Sequence, residues 1–192
     1  MDDYPSVGQS PAPDLYGRLR VQTADLAPAR WLSERFVGRD HSCTVAGVSV
    51  PGFDAYVRIL HPASLGEGPT PVAVAEALIP VLARHTRTAE RCWFGLWEGY
   101  GRWDFSRFPT FETPYRGEVL LEGPLFDVLS PLAWDEFAEL PDLWWPKDRA
   151  WCLGGDVDLI STYVGGSEAL IEELLADGGL ETHRVTAADP VY

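Results

Sequence analysis

The chain has 192 residues, a formal net charge of −14 and 46% hydrophobic residues. That length suits one domain and leaves little for a second, and the apolar content excludes disorder as the main state. Fifteen Lys plus Arg against twenty-nine Asp plus Glu exclude a free-standing nucleic-acid binder, because phosphate contacts need cationic side chains.

The charge is unevenly placed. Residues 1–60 and 61–120 each carry −1, whereas residues 121–192 carry −12, with Lys147, Arg149 and Arg184 as their only bases. Such a segment is either a solvated face that keeps the protein soluble or a surface that meets a basic partner. Cys43, Cys92 and Cys152 are far apart and form no C-x-x-C, so buried reduced thiols in a cytoplasmic protein are expected. The first residues lack the basic and apolar regions of a signal peptide, and no apolar run is long enough for a membrane helix.

In chain order, residues 1–14 hold three prolines among small and acidic residues and read as a flexible tail. Residues 15–22 alternate as a half-buried strand that Gly17 weakens. A short helix follows over 23–38, with Asp25 as cap, Pro28 in the first turn, Trp31, Leu32 and Phe36 on its apolar face, and Gly38 as its stop. Residues 43–50 and 53–62 read as a hairpin about Pro51-Gly52, with Phe53, Ala55, Val57 and Ile59 on one face. Thr70 and Pro71 open an apolar helix to about residue 86, kinked or split at Pro80.

The continuous apolar run 91–99 is expected to be a central strand. An irregular aromatic segment (100–117) separates it from a strand over 118–124. A partly helical stretch is broken by Pro131, and a new helix is expected over 131–140. One strand is expected over 150–164, with a bulge at Gly154-Gly155. A helix capped by Ser167 and stopped by Gly178-Gly179 follows, then a last strand over 180–186. Hairpins mixed with helices predict an α+β fold: residues 15–192 as one domain, with a single mixed, largely antiparallel sheet and helices packed on one face.

The familiar catalytic motifs fail. There is no nucleophile elbow, dinucleotide fingerprint, phosphate loop or H-E-x-x-H, and no spacing among His41, His61, His85 and His183 suits a metal pair. No cofactor is implied. Two constellations remain. On a single strand Asp156 and Asp158 point to one face, where with Asp148 and Glu98 they could bind a divalent ion or act as acid and base; otherwise they are solvated carboxylates. Seven of the eight tryptophans, and fifteen of the twenty-three aromatics, fall in residues 93–151. Trp144 and Trp145 cannot both point inward on a strand, so at least one is expected to be partly exposed unless a loop folds over it. The cluster is either a sheet core or a binding surface around Trp93, Trp97, Trp144 and Trp145.

The run LPDLWWPKDRAWCLGGDVDLISTYVGGSEALIEELL resembles a group of uncharacterised proteins from GC-rich bacteria. So does FDAYVRILHPA. The resemblance implies a recurring single domain and carries no activity with it. The leading expectation is a non-catalytic acidic binding protein, of immunity or inhibitor type, that masks a basic protein partner. The alternatives are a metal-assisted hydrolase using Asp156 and Asp158, and a small-molecule binder with a tryptophan-lined pocket.

Overall fold

A computed structural model describes residues 15–36, 43–101, 103–133, 136 and 138–191. The expected tail at 1–14, the helix stop at Gly38, and His41, Trp134 and Asp135 lie outside the described residues.

Among the described residues ten strands form one sheet: β1 (Leu15–Tyr16), β2 (Leu19–Val21), β3 (Ala55–Leu60), β4 (Cys92–Trp97), β5 (Thr110–Glu112), β6 (Gly117–Gly123), β7 (Leu143–Pro146), β8 (Cys152–Gly154), β9 (Ser161–Gly166) and β10 (Thr182–Val185). The spatial order is β1-β2-β6-β4-β7-β8-β9-β3-β10, with β5 also paired to β6. Every one of these pairings is antiparallel, so the described sheet carries no parallel component, and the fold is α+β as expected. The run around Phe94 is central, flanked by β6 and β7.

Among the described residues four α-helices cover the sheet: α1 (Arg30–Phe36), α2 (Val45–Val48), α3 (Val72–Arg84) and α4 (Glu168–Ala176). The longer two lie on one face. Leu78 and Leu82 of α3 and Leu170 and Leu174 of α4 join Val57, Phe94, Leu121, Trp144 and Val164 in the main apolar core. The alternate residues of the same strands point the other way. There Trp93, Leu120, Leu143, Trp145 and Cys152 pack with Trp31 and Leu32 of α1, and Tyr56 and Tyr163 pack with Val45 and Val48 of α2. Helices on one face only is therefore corrected: the short helices, with Phe111 of β5, close the second face. Both Trp144 and Trp145 are consequently buried, one on each side.

Other expectations fail for local reasons. Gly17, at φ +65°, is the turn between two short strands rather than a weak point in one. A Cβ there would come within 2.5 Å of Pro131 N. Residues 43–50 are not a strand. Thr44 makes an isolated bridge to Pro190, and the Val45 and Ala46 N–H groups donate to Asp189 and Ala187, leaving the chain free to make the single turn of α2. Thr70 does not cap α3; its hydroxyl meets that of Thr162 at 3.0 Å, and Pro71 precedes the helix without a side-chain cap. Pro80 sits inside an unbroken α3. Residues 125–133 form a 3-10 helix that runs through Pro131 rather than a helix starting there. The single strand expected over 150–164 is two, β8 and β9, with a turn between them, and Gly154 ends β8 instead of forming a bulge. Ser167 does cap α4, accepting the Leu170 N–H at 3.3 Å, and Asp25 accepts the Ala27 N–H at 2.9 Å ahead of α1.

No helix among the described residues is long and apolar enough to cross a membrane. Cys92 and Cys152 are buried, and burial pushes the Cys92 thiol up to about 12 and the Cys152 thiol well up. Cys43 is exposed, against expectation.

Candidate functional site

The residues nominated from sequence do not form one site. Trp93 and Trp145 are cross-strand partners on the second face, as Phe94 and Trp144 are on the first. Trp145 meets Trp31 edge-on at 6.2 Å and Phe111 at 6.0 Å, so the space a ligand would need is filled by protein. The Trp144 indole N–H donates to the Pro141 carbonyl at 2.7 Å. Asp148 is a loop fastener: it accepts from the Thr86 hydroxyl at 2.7 Å and the Arg87 N–H at 2.9 Å. Burial opposes its ionisation, but these and further hydrogen bonds hold its carboxyl below the usual range.

Asp156 and Asp158 do not share a strand face. They lie in the β8–β9 turn, where Asp156 Oδ1 accepts the Asp158 N–H at 3.0 Å and the Asp158 side chain is exposed. This is an Asx turn, which uses one carboxylate oxygen locally and separates the pair. Among the described residues no group of three or more His, Cys, Asp or Glu is arranged to hold a metal ion.

What Asp156 does join is a buried polar cluster on the second face. The turn Thr113–Arg116 links β5 to β6 through Thr113 N–H to Arg116 O at 3.0 Å. It aims the Arg116 guanidinium over the Trp97 ring at 4.5 Å and onto Asp156 Oδ2 at 2.5 Å. Glu118, the cross-strand partner of Trp97, is buried beside it. Asp142, just before β7, is held from both sides. Its N–H donates to Gly95 O at 2.7 Å, and its own carbonyl accepts the Gly155 N–H at 2.8 Å. Its carboxylate accepts the Tyr100 hydroxyl at 2.9 Å and the Trp97 N–H at 3.0 Å. Gly95 makes the room: a Cβ there would lie 2.9 Å from Phe111 Cζ and 3.4 Å from Glu118 Oε2.

Burial sets the electrostatics of this cluster. It pushes the Asp142 carboxyl up to about 7, although Tyr100, the Trp97 N–H and Arg116 all favour its charge. It pushes Glu118 well up, reinforced by the Asp142 charge and opposed by Arg116. Tyr100 is pushed far up by burial and then by Asp142. Two polar atoms remain without partners, Glu118 Oε2 and Arg116 Nη1. The cavity these groups line is about 10 Å³, room for no more than a water molecule. Of the nominated residues, only Trp97 and Asp156 touch this cluster directly, while Glu98 lies exposed at its edge.

An opening with room for a ligand lies elsewhere among the described residues, near the β3–β10 edge. A cleft of about 520 Å³ runs between the end of β3, the start of α3 and the loop before β10. Leu60, Pro62, Val74, Ala77, Ile160 and Leu180 give it apolar walls, with Glu181 among its polar lining. His61 belongs to the wall and is 7% exposed. Its Nε2 meets the Thr162 hydroxyl at 2.9 Å, Thr162 meets Thr70, and Nδ1 is buried without a partner. Burial lowers the imidazole to about 4, so it is neutral at physiological pH. No sequence signal marks this site, because its lining comes from four separate segments.

Comparison with family models, curated proteins and solved structures finds no match.

Proposed function

We propose that the protein is a non-catalytic binding protein whose ligand is a small, largely apolar molecule seated in the His61 cleft. The cleft itself carries this reading. Its volume of about 520 Å³ falls in the range of small-molecule sites, and its walls are apolar with few polar groups. His61, neutral at physiological pH, and Glu181 are among its few polar residues, which suits holding a ligand better than turning it over. This reading stands in place of the two alternatives weighed from sequence, a tryptophan-lined pocket and a metal site at Asp156 and Asp158. The test is titration of the full chain with a panel of apolar small molecules, followed by methyl NMR of Ala73, Ala77 and Ile160. Saturable shifts at those methyls are expected, and Ala77→Phe should abolish them without lowering the unfolding temperature. Shifts that survive Ala77→Phe, or none across the panel, overturn the reading.

The −12 of residues 121–192 favours a second reading, a surface that masks a basic protein. Part of that charge is offset from outside the segment: Arg84 pairs with Glu173 and Arg91 with Glu122. A tagged pull-down at low salt tests it. A partner whose affinity falls steeply with salt supports it, and recovery of no stable partner removes it.

A further inference from the structure

The Arg116 cluster lies apart from the proposed ligand cleft and has its own chemistry. It gathers three carboxylates, Glu118, Asp142 and Asp156, around one guanidinium. The groups that face it are Trp97, Glu98 and Tyr100 from the end of β4, Tyr115 from the β5–β6 turn and Glu139 ahead of β7. The facing helix α2, of sequence VAGV, brings no titratable side chain.

The hydrogen bonds divide the carboxylates unequally. Asp156 has Arg116 and the Asp158 N–H. Asp142 has the Tyr100 hydroxyl and the Trp97 N–H. Glu118, 2% exposed, has an oxygen with no partner. An unpartnered oxygen costs far less on a neutral carboxylic acid than on a carboxylate. With Glu118 neutral, two negative charges face one positive; with Glu118 ionised, three do. Like charges buried in one cluster cannot all ionise without water, and the cavity admits about one molecule of it.

We infer that Glu118 and Asp142 hold one proton between them in the folded protein, resting on Glu118, and that losing it to solvent opens the second face of the sheet at the Arg116 turn. Ionised Glu118 must be hydrated, and the route is the small cavity beside α2. Opening there parts the β5–β6 turn from residues 142–156. It breaks the Trp97 N–H to Asp142 bond.

The test uses the full chain. Side-chain carboxyl carbons of Glu and Asp are followed by NMR from about pH 4 to pH 9, with exchange of the Trp97 amide measured alongside. One carboxyl of the pair is expected to titrate near neutrality or above. Trp97 protection, corrected for intrinsic exchange, should fall roughly tenfold or more over the same range. In Glu118→Gln, Asp142 should titrate at lower pH and Trp97 protection should lose its pH dependence. If Glu118→Gln does not fold, Asp142→Asn serves instead, lowering the Glu118 titration. Both carboxyls titrating in the ordinary acidic range in the wild type overturns the inference, as does Trp97 protection that stays flat with pH. An Asp142 titration unchanged by Glu118→Gln overturns the sharing.

Discussion

The two faces of the sheet use the same strands for opposite purposes. On the α3–α4 face, Val57, Phe94, Leu121, Trp144 and Val164 meet leucines and valines, and area removed from water is the main stabilising term. On the other face, aromatic packing around Trp145 gives way to Glu118, Asp142 and Arg116. There an arginine and several hydrogen bonds must offset the desolvation of charge. The first face resists change because it is dry. The second is conditional, because its cost depends on how many protons it holds.

The largest effect should come from the dry face. Trp144→Ala removes a fully buried indole and should cost about 3–5 kcal/mol in urea unfolding, nearly independent of pH. A cost that changes with pH would mean the faces are not separate. Arg116→Ala should cost about 3 kcal/mol near pH 8, because it leaves Asp156 buried without its guanidinium. The same variant should cost less at acidic pH, where the carboxylates take up protons; an equal cost at both pH values would make Arg116 a packing residue only.

The pH profile sharpens the contrast further. Asp142 is raised to about 7 in the folded state, so the fold binds its proton more tightly than the unfolded chain does. Stability from this group is full at low pH and is lost as pH rises from the ordinary carboxylate range through about 7. Glu118, also raised, acts in the same direction. Glu118→Gln should therefore stabilise the protein by about 1–3 kcal/mol at pH 8 and by little at pH 5. His61 acts oppositely. Its lowered value means that stability present above its ordinary range is lost as pH falls toward about 4. His61→Gln should flatten only that acidic limb, seen as a smaller drop in unfolding temperature. The smallest effect belongs to the solvent-exposed pairs of α4. Arg184→Ala should leave the unfolding temperature unchanged within error, because exposed ion pairs contribute little.

The long elements were legible because their patterns are local. The apolar run of β4, the periodicity of α3 and the Ser167 cap of α4 each carry their own signal. The short pieces were not. Residues 43–50 have strand composition, yet become α2 because residues 187–189 take their hydrogen bonds. Asp156 and Asp158 alternate like strand residues, yet the Asx turn and the Arg116 pair hold them in a turn. The buried cluster was missed for a related reason. Glu118 reads as an ordinary polar residue near a strand start. Its burial follows only once both faces are known to be covered, and adjacent Trp144 and Trp145 were the one hint of that. Asp142 depends on partners from β4 and the β8–β9 turn, which no local pattern reveals.

The position of β3 has a consequence for how the chain folds. Both of its neighbours, β9 and β10, come from the last part of the sequence, with Leu60 opposite Ser161 and Ile59 opposite Thr182. On the ribosome β3 emerges well before β9 and β10 and waits, its backbone groups unpaired, until they follow. Such distant pairings slow the search for the native topology and prolong exposure of an unsatisfied strand. The VRIL stretch of β3 is thus the part of this protein most in need of protection during synthesis, although in the finished fold it is well shielded.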